Sequence, residues 1–271
     1  MSLRFEPGQL RVIRQDPPWK VVRAFVQENG SLLAHLHNVS GGVLAGDSLA
    51  LRIEVAAGAR AQVTTTGATR LYRHRPGSAD SQQVTGIDIG EDALLEYLPD
   101  PVIPYAGARH SQRTEVRLER GAVFLGWEVL APGRHASGEQ FAFDHLQIVT
   151  RIASAGRDIL RENFALNPGL RPLSAAARMH GYGWLASFNV CQEGREPSFW
   201  RVLEERLSEV AAERSRSGEV LWGASALVSG GVAVRGLSSS ALPIPAALFE
   251  FWREARRAVT GSEAILPRKL Y

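Results

Sequence analysis

A mainly β fold with two helices in the C-terminal third is what this sequence of 271 residues predicts, on three observations. Apolar and polar residues alternate in many short runs between about residues 21 and 235, the pattern of half-buried strands. Gly, Pro, Asn and Asp separate those runs, as turns require. Only two segments, both after residue 197, space their apolar side chains along one helix face.

Taken in order, Val21 to Gln27 and Leu32 to His37 read as strands joined by a turn at Glu28-Asn29-Gly30. Gly41, Gly42 and Gly46 then impose bends or a close backbone approach just before the next strand. There Leu49, Leu51, Ile53 and Val55 point one way and Ala50, Arg52 and Glu54 the other. Ala56 to Ala59 turns, Arg60 to Thr66 returns, and Gly67 to Arg73 closes the unit. A glycine loop can cradle phosphate, but phosphate loops feed a helix and end in Lys-Ser/Thr, whereas this one feeds a strand. Further strands are predicted over Gln82 to Ile89, Ala93 to Leu98, Arg113 to Leu118, Ala122 to Leu130, Glu139 to Thr150, Gly183 to Cys191, Glu219 to Ser229 and Gly231 to Arg235. The prolines of Asp100-Pro101-Val102-Ile103-Pro104 keep that stretch extended.

The first helix, near 198–217, takes Ser198 as N-cap and puts Phe199, Leu203, Leu207 and Val210 on one face before Gly218. The second, near 245–260, starts at Pro245 and carries Leu248, Phe251, Trp252, Ala255 and Val259 before Gly261. Both stripes read as core-facing. The tail Ser262 to Tyr271 reads as extended.

Hydrophobic content of 45% and charged content of 22% fit an ordinary globular protein with a full core. The first residues lack the apolar run of a signal peptide, and no stretch approaches a membrane span. The single cysteine, Cys191, excludes an internal disulfide and fits a reducing compartment, so the cytoplasm is expected. The net charge of +3 comes almost wholly from arginine, with Lys20 and Lys269 the two lysines. These arginines are dispersed and not interleaved with aromatics, which argues against a nucleic-acid partner.

His35 and His37 share a strand face, a spacing that metal sites use, but they read as ordinary core or surface residues. Strand parity sorts the carboxylates. Glu54 and Glu115 fall on faces shared with arginines and are solvated. Glu96 shares parity with Leu94 and Leu98, Glu128 with Phe124 and Leu130, Glu139 with Phe141 and Phe143, and Asp47 with Leu49 and Leu51. A carboxylate turned into an apolar interior needs a partner or water. The plain expectation is an arginine partner such as Arg70, Arg73, Arg134 or Arg235. No Ser-His or Cys-His set is motivated, and no two carboxylates are placed for glycosidase chemistry.

The run Asn38-Val39-Ser40-Gly41-Gly42 to Gly46-Asp47, followed by Thr64-Thr65-Thr66-Gly67-Ala68-Thr69-Arg70-Leu71-Tyr72-Arg73, resembles the signature of the UreD (UreH) urease accessory proteins. Leu95 to Asp100 with Ala106-Gly107-Ala108, Gly126-Trp127-Glu128 with Gly133-Arg134 and Ser137-Gly138-Glu139, and Val234 to Leu237 continue the likeness in order. The resemblance implies a single domain over 1–271 with layered, β-helix-like sheets. It also implies a chaperone that docks on urease apoprotein with UreF and UreG while nickel(II) passes to the di-nickel site, and no enzyme activity of its own. Tyr72, Arg73, Arg134 and Arg235 are expected to be structural or pairing residues.

Nickel held by imidazole or thiolate is hard to release, whereas oxygen donors let it move on. Asp47, Glu96, Glu128 and Glu139, all inside those motifs, are therefore the candidate metal-handling residues, lining a water-filled passage for transient nickel(II) with no tightly bound cofactor. A structural scaffold for the same complex is the alternative, and a carbohydrate-active or acyl-transfer enzyme on a β fold a remote one. The sequence leaves a homodimer open.

Overall fold

The computed structural model describes residues 1–267; the end of the expected extended tail, 268–271, lies outside the described residues. Successive strands fall in opposite sheets. From Leu32–Asn38 the chain crosses to Ser48–Val55, returns to Arg60–Thr65, crosses to Ser81–Ile89, returns to Leu94–Leu98, crosses to Arg109–Leu118, returns to Val123–Leu130 and crosses to His145–Ser154. Each strand pairs in parallel with the next one laid in its own sheet. Two layers coil up rung by rung, as the resemblance implies. Antiparallel strands extend both layers. Ser2–Glu6 joins Ser48–Val55 in parallel and pairs with Gln9–Arg14, while Arg157–Leu166 flanks His145–Ser154. In the other sheet Trp184–Gln192, Gly231–Ser238 and Val220–Leu227 follow Val123–Leu130.

The rungs stack through their turns. Ala59, Ala93 and Ala122 are each at most 1% exposed. The amide of Leu94 donates to the Ala59 carbonyl, and that of Val123 to the Ala93 carbonyl, both at 2.9 Å. Only a methyl fits where one turn lies on the next, so the coil repeats a small residue after Gly58, Asp92 and Gly121. The unequal spacing of these alanines hides the repeat from a fixed-period reading.

The helices cover the outer face of the second sheet and make a second core. Helix α1 (Pro197–Arg214) buries Trp200, Leu203, Leu207, Val210 and Ala211. Helix α2 (Ile244–Thr260) buries Ala247, Leu248, Phe251, Trp252, Ala255 and Val259. The expected Ser198 cap is displaced. Glu196 holds the cap position without a side-chain bond, because Pro197 needs no donor partner at the first helical position. Helix α1 ends at Arg214, short of the expected 217, where the Ser215 hydroxyl donates to the Ala211 carbonyl at 2.7 Å. Two other expectations are corrected. The strand expected from Glu139 begins at His145, since Glu139 lies in the loop after a short 3₁₀ turn, His135–Ser137. Arg157–Leu166, not anticipated as a strand, follows a tight turn at Ala155-Gly156 and mixes charged with apolar residues.

The glycine cluster works as backbone chemistry. Gly41 and Gly46 take left-handed φ of 76° and 84°. Gly42 has ordinary φ, but a Cβ there would stand 2.6 Å from the Arg70 carbonyl oxygen and 2.5 Å from the Tyr72 ring. Substituting Gly42→Ala should therefore cost about 1–3 kcal/mol, because backbone cannot yield to it. Gly67→Ala, with open space around it and no positive φ, should leave the unfolding midpoint near that of the parent. Parallel thermal melts check the contrast.

Candidate functional site: a polar gap between the sheets

Polar side chains occupy neighbouring inward rows between the layers, one of them through Gln83 and Gln112. The next row along the strands carries hydroxyls. Across the first sheet, register aligns Leu51, Thr85, Thr114, Thr150 and Glu162. Across the second, it aligns Glu128, Ser187 and Arg235, beside Tyr97, Gly126 and Asn189. The short side chains of Thr114, Thr150 and Ser187 do not fill the space, while the Phe124 ring lies where a Cβ of Gly126 would stand. A gap of about 50 Å³ remains, lined by Gln112, Thr114, Thr150, Glu128, Ser187 and Asn189 among others. That is room for a few water molecules among polar partners.

Cross-sheet bonds close this layer. Gln112 Nε2 donates to Glu128 Oε1, and Arg235 Nη2 forms an ion pair with Glu162 Oε1. Arg235 Nη1 also donates to Asn189 Oδ1 at 3.2 Å and to the Val234 carbonyl at 2.7 Å. The Thr85 hydroxyl, 1% exposed on the same inward row, faces the Tyr97 phenol. Glu128 is pushed up to about 7, first by desolvation and then by the charge of Glu162, against the opposing pull of Gln112 and Arg235. Burial and the Glu128 charge likewise push the Tyr97 phenol up. At the far end, Thr65 Oγ1 donates to Asp100 Oδ2 at 2.8 Å, and Trp127 Nε1 holds the Pro99 carbonyl at 2.9 Å.

Of the four carboxylates singled out from sequence, Glu128 lies on this gap and the other three lie elsewhere. Glu96 faces the helix side of its sheet, since both faces of that sheet are buried. Its Oε1 accepts from Trp252 Nε1 at 2.7 Å and Arg256 Nε at 2.8 Å, and its Oε2 accepts from Gln62 Nε2 at 3.2 Å. Burial drives Glu96 up, opposed by Arg256 and these three bonds. Arg256 Nη1 and Gln62 Nε2 also hold the carbonyls of Glu263 and Ile265, fastening the tail. Asp47 precedes the strand and accepts the Leu44 amide at 2.8 Å, closing a turn. Glu139 pairs with Arg134 and accepts the Ala106 amide; the Arg134 bond holds its carboxyl below the usual range. Arg70 and Arg73 reach the carbonyls of Gly41 and Ala106.

Glu162 was missed because its strand reads as polar surface. The signal that could have found it is the alternation of Leu160, Glu162, Phe164 and Leu166 after the turn at Gly156.

Two other reactive groups are inert. Ser81 Oγ lies 2.9 Å from His110 Nδ1 and 3.0 Å from the Arg109 carbonyl, a buried pair with no third group to orient it as a nucleophile and base. Both residues are 2% exposed, and burial takes His110 down to about 4. Burial also pushes the Cys191 thiol up to about 12, which keeps it protonated. Among the described residues, no three His, Cys, Asp or Glu side chains converge as a ligand set, and no helix is long and apolar enough to cross a membrane.

Residues 2–270 match the family model described as UreD urease accessory protein. A protein of Herpetosiphon aurantiacus named urease accessory protein UreD is 41% identical over 270 residues, covering 100% of this chain and 94% of that one. Proteins of the same name from Corynebacterium glutamicum and Pseudomonas fluorescens are 32% and 30% identical. The first covers 76% of this chain and 69% of its own length, the second 93% and 85%.

Two outcomes follow from the buried acids. The folded chain holds the Glu128 proton up to about pH 7 against an ordinary value of 4.5. It therefore binds more protons than the unfolded chain in that window, and stability falls as pH rises through it. Glu128→Gln should remove that part of the fall, a gain of about 3 kcal/mol at pH 8 relative to pH 4.5, read by urea unfolding at both pH values. Arg256→Met, which takes the counter-ion from the buried Glu96, should cost about 3–5 kcal/mol. Adding Glu96→Gln should restore part of it in the same assay.

Proposed function

The chain belongs to the UreD family of urease accessory proteins, and from that premise we propose that it is a cytoplasmic chaperone of urease maturation whose cargo is nickel(II). It docks with UreF and UreG on urease apoprotein, and nickel crosses the gap between its sheets on the way to the di-nickel site. It is not itself an enzyme, and nucleotide hydrolysis belongs to a partner.

The observation that carries this reading is Glu128. Its carboxyl sits between the layers beside a water-sized space and close enough to Glu162 for their charges to repel. Its hydrogen-bond donor is the Gln112 amide, not a guanidinium. Two carboxylates held together with little water lose their repulsion when a dication lies between them. The donors around them are hydroxyl and amide oxygens from Thr114, Thr150, Ser187 and Asn189. Oxygen donors suit transfer, since nickel leaves them more readily than imidazole or thiolate.

A scaffold that assembles the same complex without touching nickel is the second reading. It is favoured by the structural engagement of Asp47, Glu96 and Glu139 in a turn and two ion pairs. Glu128→Gln and Glu162→Gln separate the two. On the passage reading, urease activity developed in cells supplied with nickel drops severalfold while the variants still co-purify with the activation complex. Full activation with both variants would leave the scaffold.

A further inference from the structure

The ion pair between Arg235 and Glu162 closes one end of the polar gap. Arg235 is the register partner of Ser187, and Glu162 that of Thr150; each lies one strand beyond a residue lining the gap. They come from opposite sheets, so their contact spans the opening. The Glu162 side chain is 11% exposed and that of Arg235 32%, which places the guanidinium on the solvent side. The position beyond Arg235 in register is Gly223, and a Cβ there would meet nothing within 4 Å. The guanidinium thus has a free flank. Inside the closure stands Glu128, on the lining of the gap.

We propose that Arg235 is a displaceable plug, a tethered monocation that occupies the entrance beside Glu162 until a divalent cation takes its place between Glu162 and Glu128. The proposal rests on the passage reading and adds its regulation. Bonds from Arg235 to Asn189 and the Val234 carbonyl keep the guanidinium in place when no cargo is present. An arriving dication offers Glu162 twice the charge, and Arg235 swings over Gly223. When the ion moves on, the covalently attached guanidinium re-forms its pair at no cost in translational entropy. The plug keeps the cation's residence short, because every bound ion competes with a counter-ion that never diffuses away. Removing it should turn a transit point into a trap.

The test is nickel(II) titration of the purified full-length chain by calorimetry. Arg235→Gln removes the competing charge and should tighten nickel binding by about tenfold or more relative to the parent. Arg235→Gln combined with Glu162→Gln should return the affinity to the parent's level or weaker. Nickel binding no tighter in Arg235→Gln than in the parent overturns the plug. Arginine side-chain nuclear magnetic resonance reads the same event without substitution, using diamagnetic zinc(II). Saturating zinc should shift the Arg235 Nε–H signal and speed its exchange with water. An unmoved signal with zinc bound also overturns the proposal. A loss of urease activation in Glu128→Gln with no tightening in Arg235→Gln would sink the plug and keep the passage. Tightening in Arg235→Gln with full activation in both amide variants would sink the passage, and the plug of that passage with it, and leave Arg235 only as a competitor for the cation.

Discussion

The structure depends on closing two β layers over a row that is not apolar. A buried hydroxyl or amide left without a partner costs about 1–3 kcal/mol, and an unpaired charge more. Here polar side chains of neighbouring rows are tied across the gap by Gln112 to Glu128 and by Arg235 to Glu162, so the bonds that satisfy them also hold the layers together. The flanking row of Ile53, Ile87, Val116 and Ile152 packs without polar atoms and sets the distance between the sheets. Threonine and serine then leave space that isoleucine fills two residues further along the same strands. The gap is a consequence of side-chain length at fixed sheet spacing.

The second sheet has two buried faces, and its acids divide between them. Glu96 and Glu128 stand on adjacent parallel strands, Leu94–Leu98 and Val123–Leu130, yet face opposite ways, because Glu96 registers with Leu125 and not with Glu128. On the helix side Glu96 meets Arg256 from α2 and both become fully enclosed, with the tail fastened over them. That pair joins the helical layer and the chain's end to the coil. On the other side Glu128 meets an amide and a void. One residue type therefore does anchoring work on one face and stays available on the other.

This division marks how far the sequence could be read. Alternation located most strands and both helices, since period and composition are local properties. The motif resemblance supplied the layered coil, which no fixed-length repeat announced: the stacked turns are marked only by Ala59, Ala93 and Ala122 at unequal spacing. Parity placed Glu96 and Glu128 correctly on inward faces but could not tell two interiors apart, because a sheet covered on both sides has no solvent face to fix the sign. Asp47 and Glu139 were misplaced for another reason. Parity carries meaning only within a strand, and both lie in loops where backbone amides and Arg134 decide the orientation. Glu162 escaped notice because an outermost strand with alternating charges resembles exposed surface until its neighbours are known.

The dimensions of the gap bear on what could cross it. A space of about 50 Å³ admits a few waters, too little for a dication with its full hydration shell. An ion entering there must exchange water for protein oxygen, and the exchange is easy only if the donors are weak, numerous and already desolvated. Thr114 and Thr150, register partners on adjacent parallel strands, line the gap at the spacing of neighbouring strands. A single strong site would hold the ion, and a wholly apolar interior would refuse it. The parallel coil supplies the intermediate case, because it brings the same position of successive rungs into line and turns one residue choice into a track.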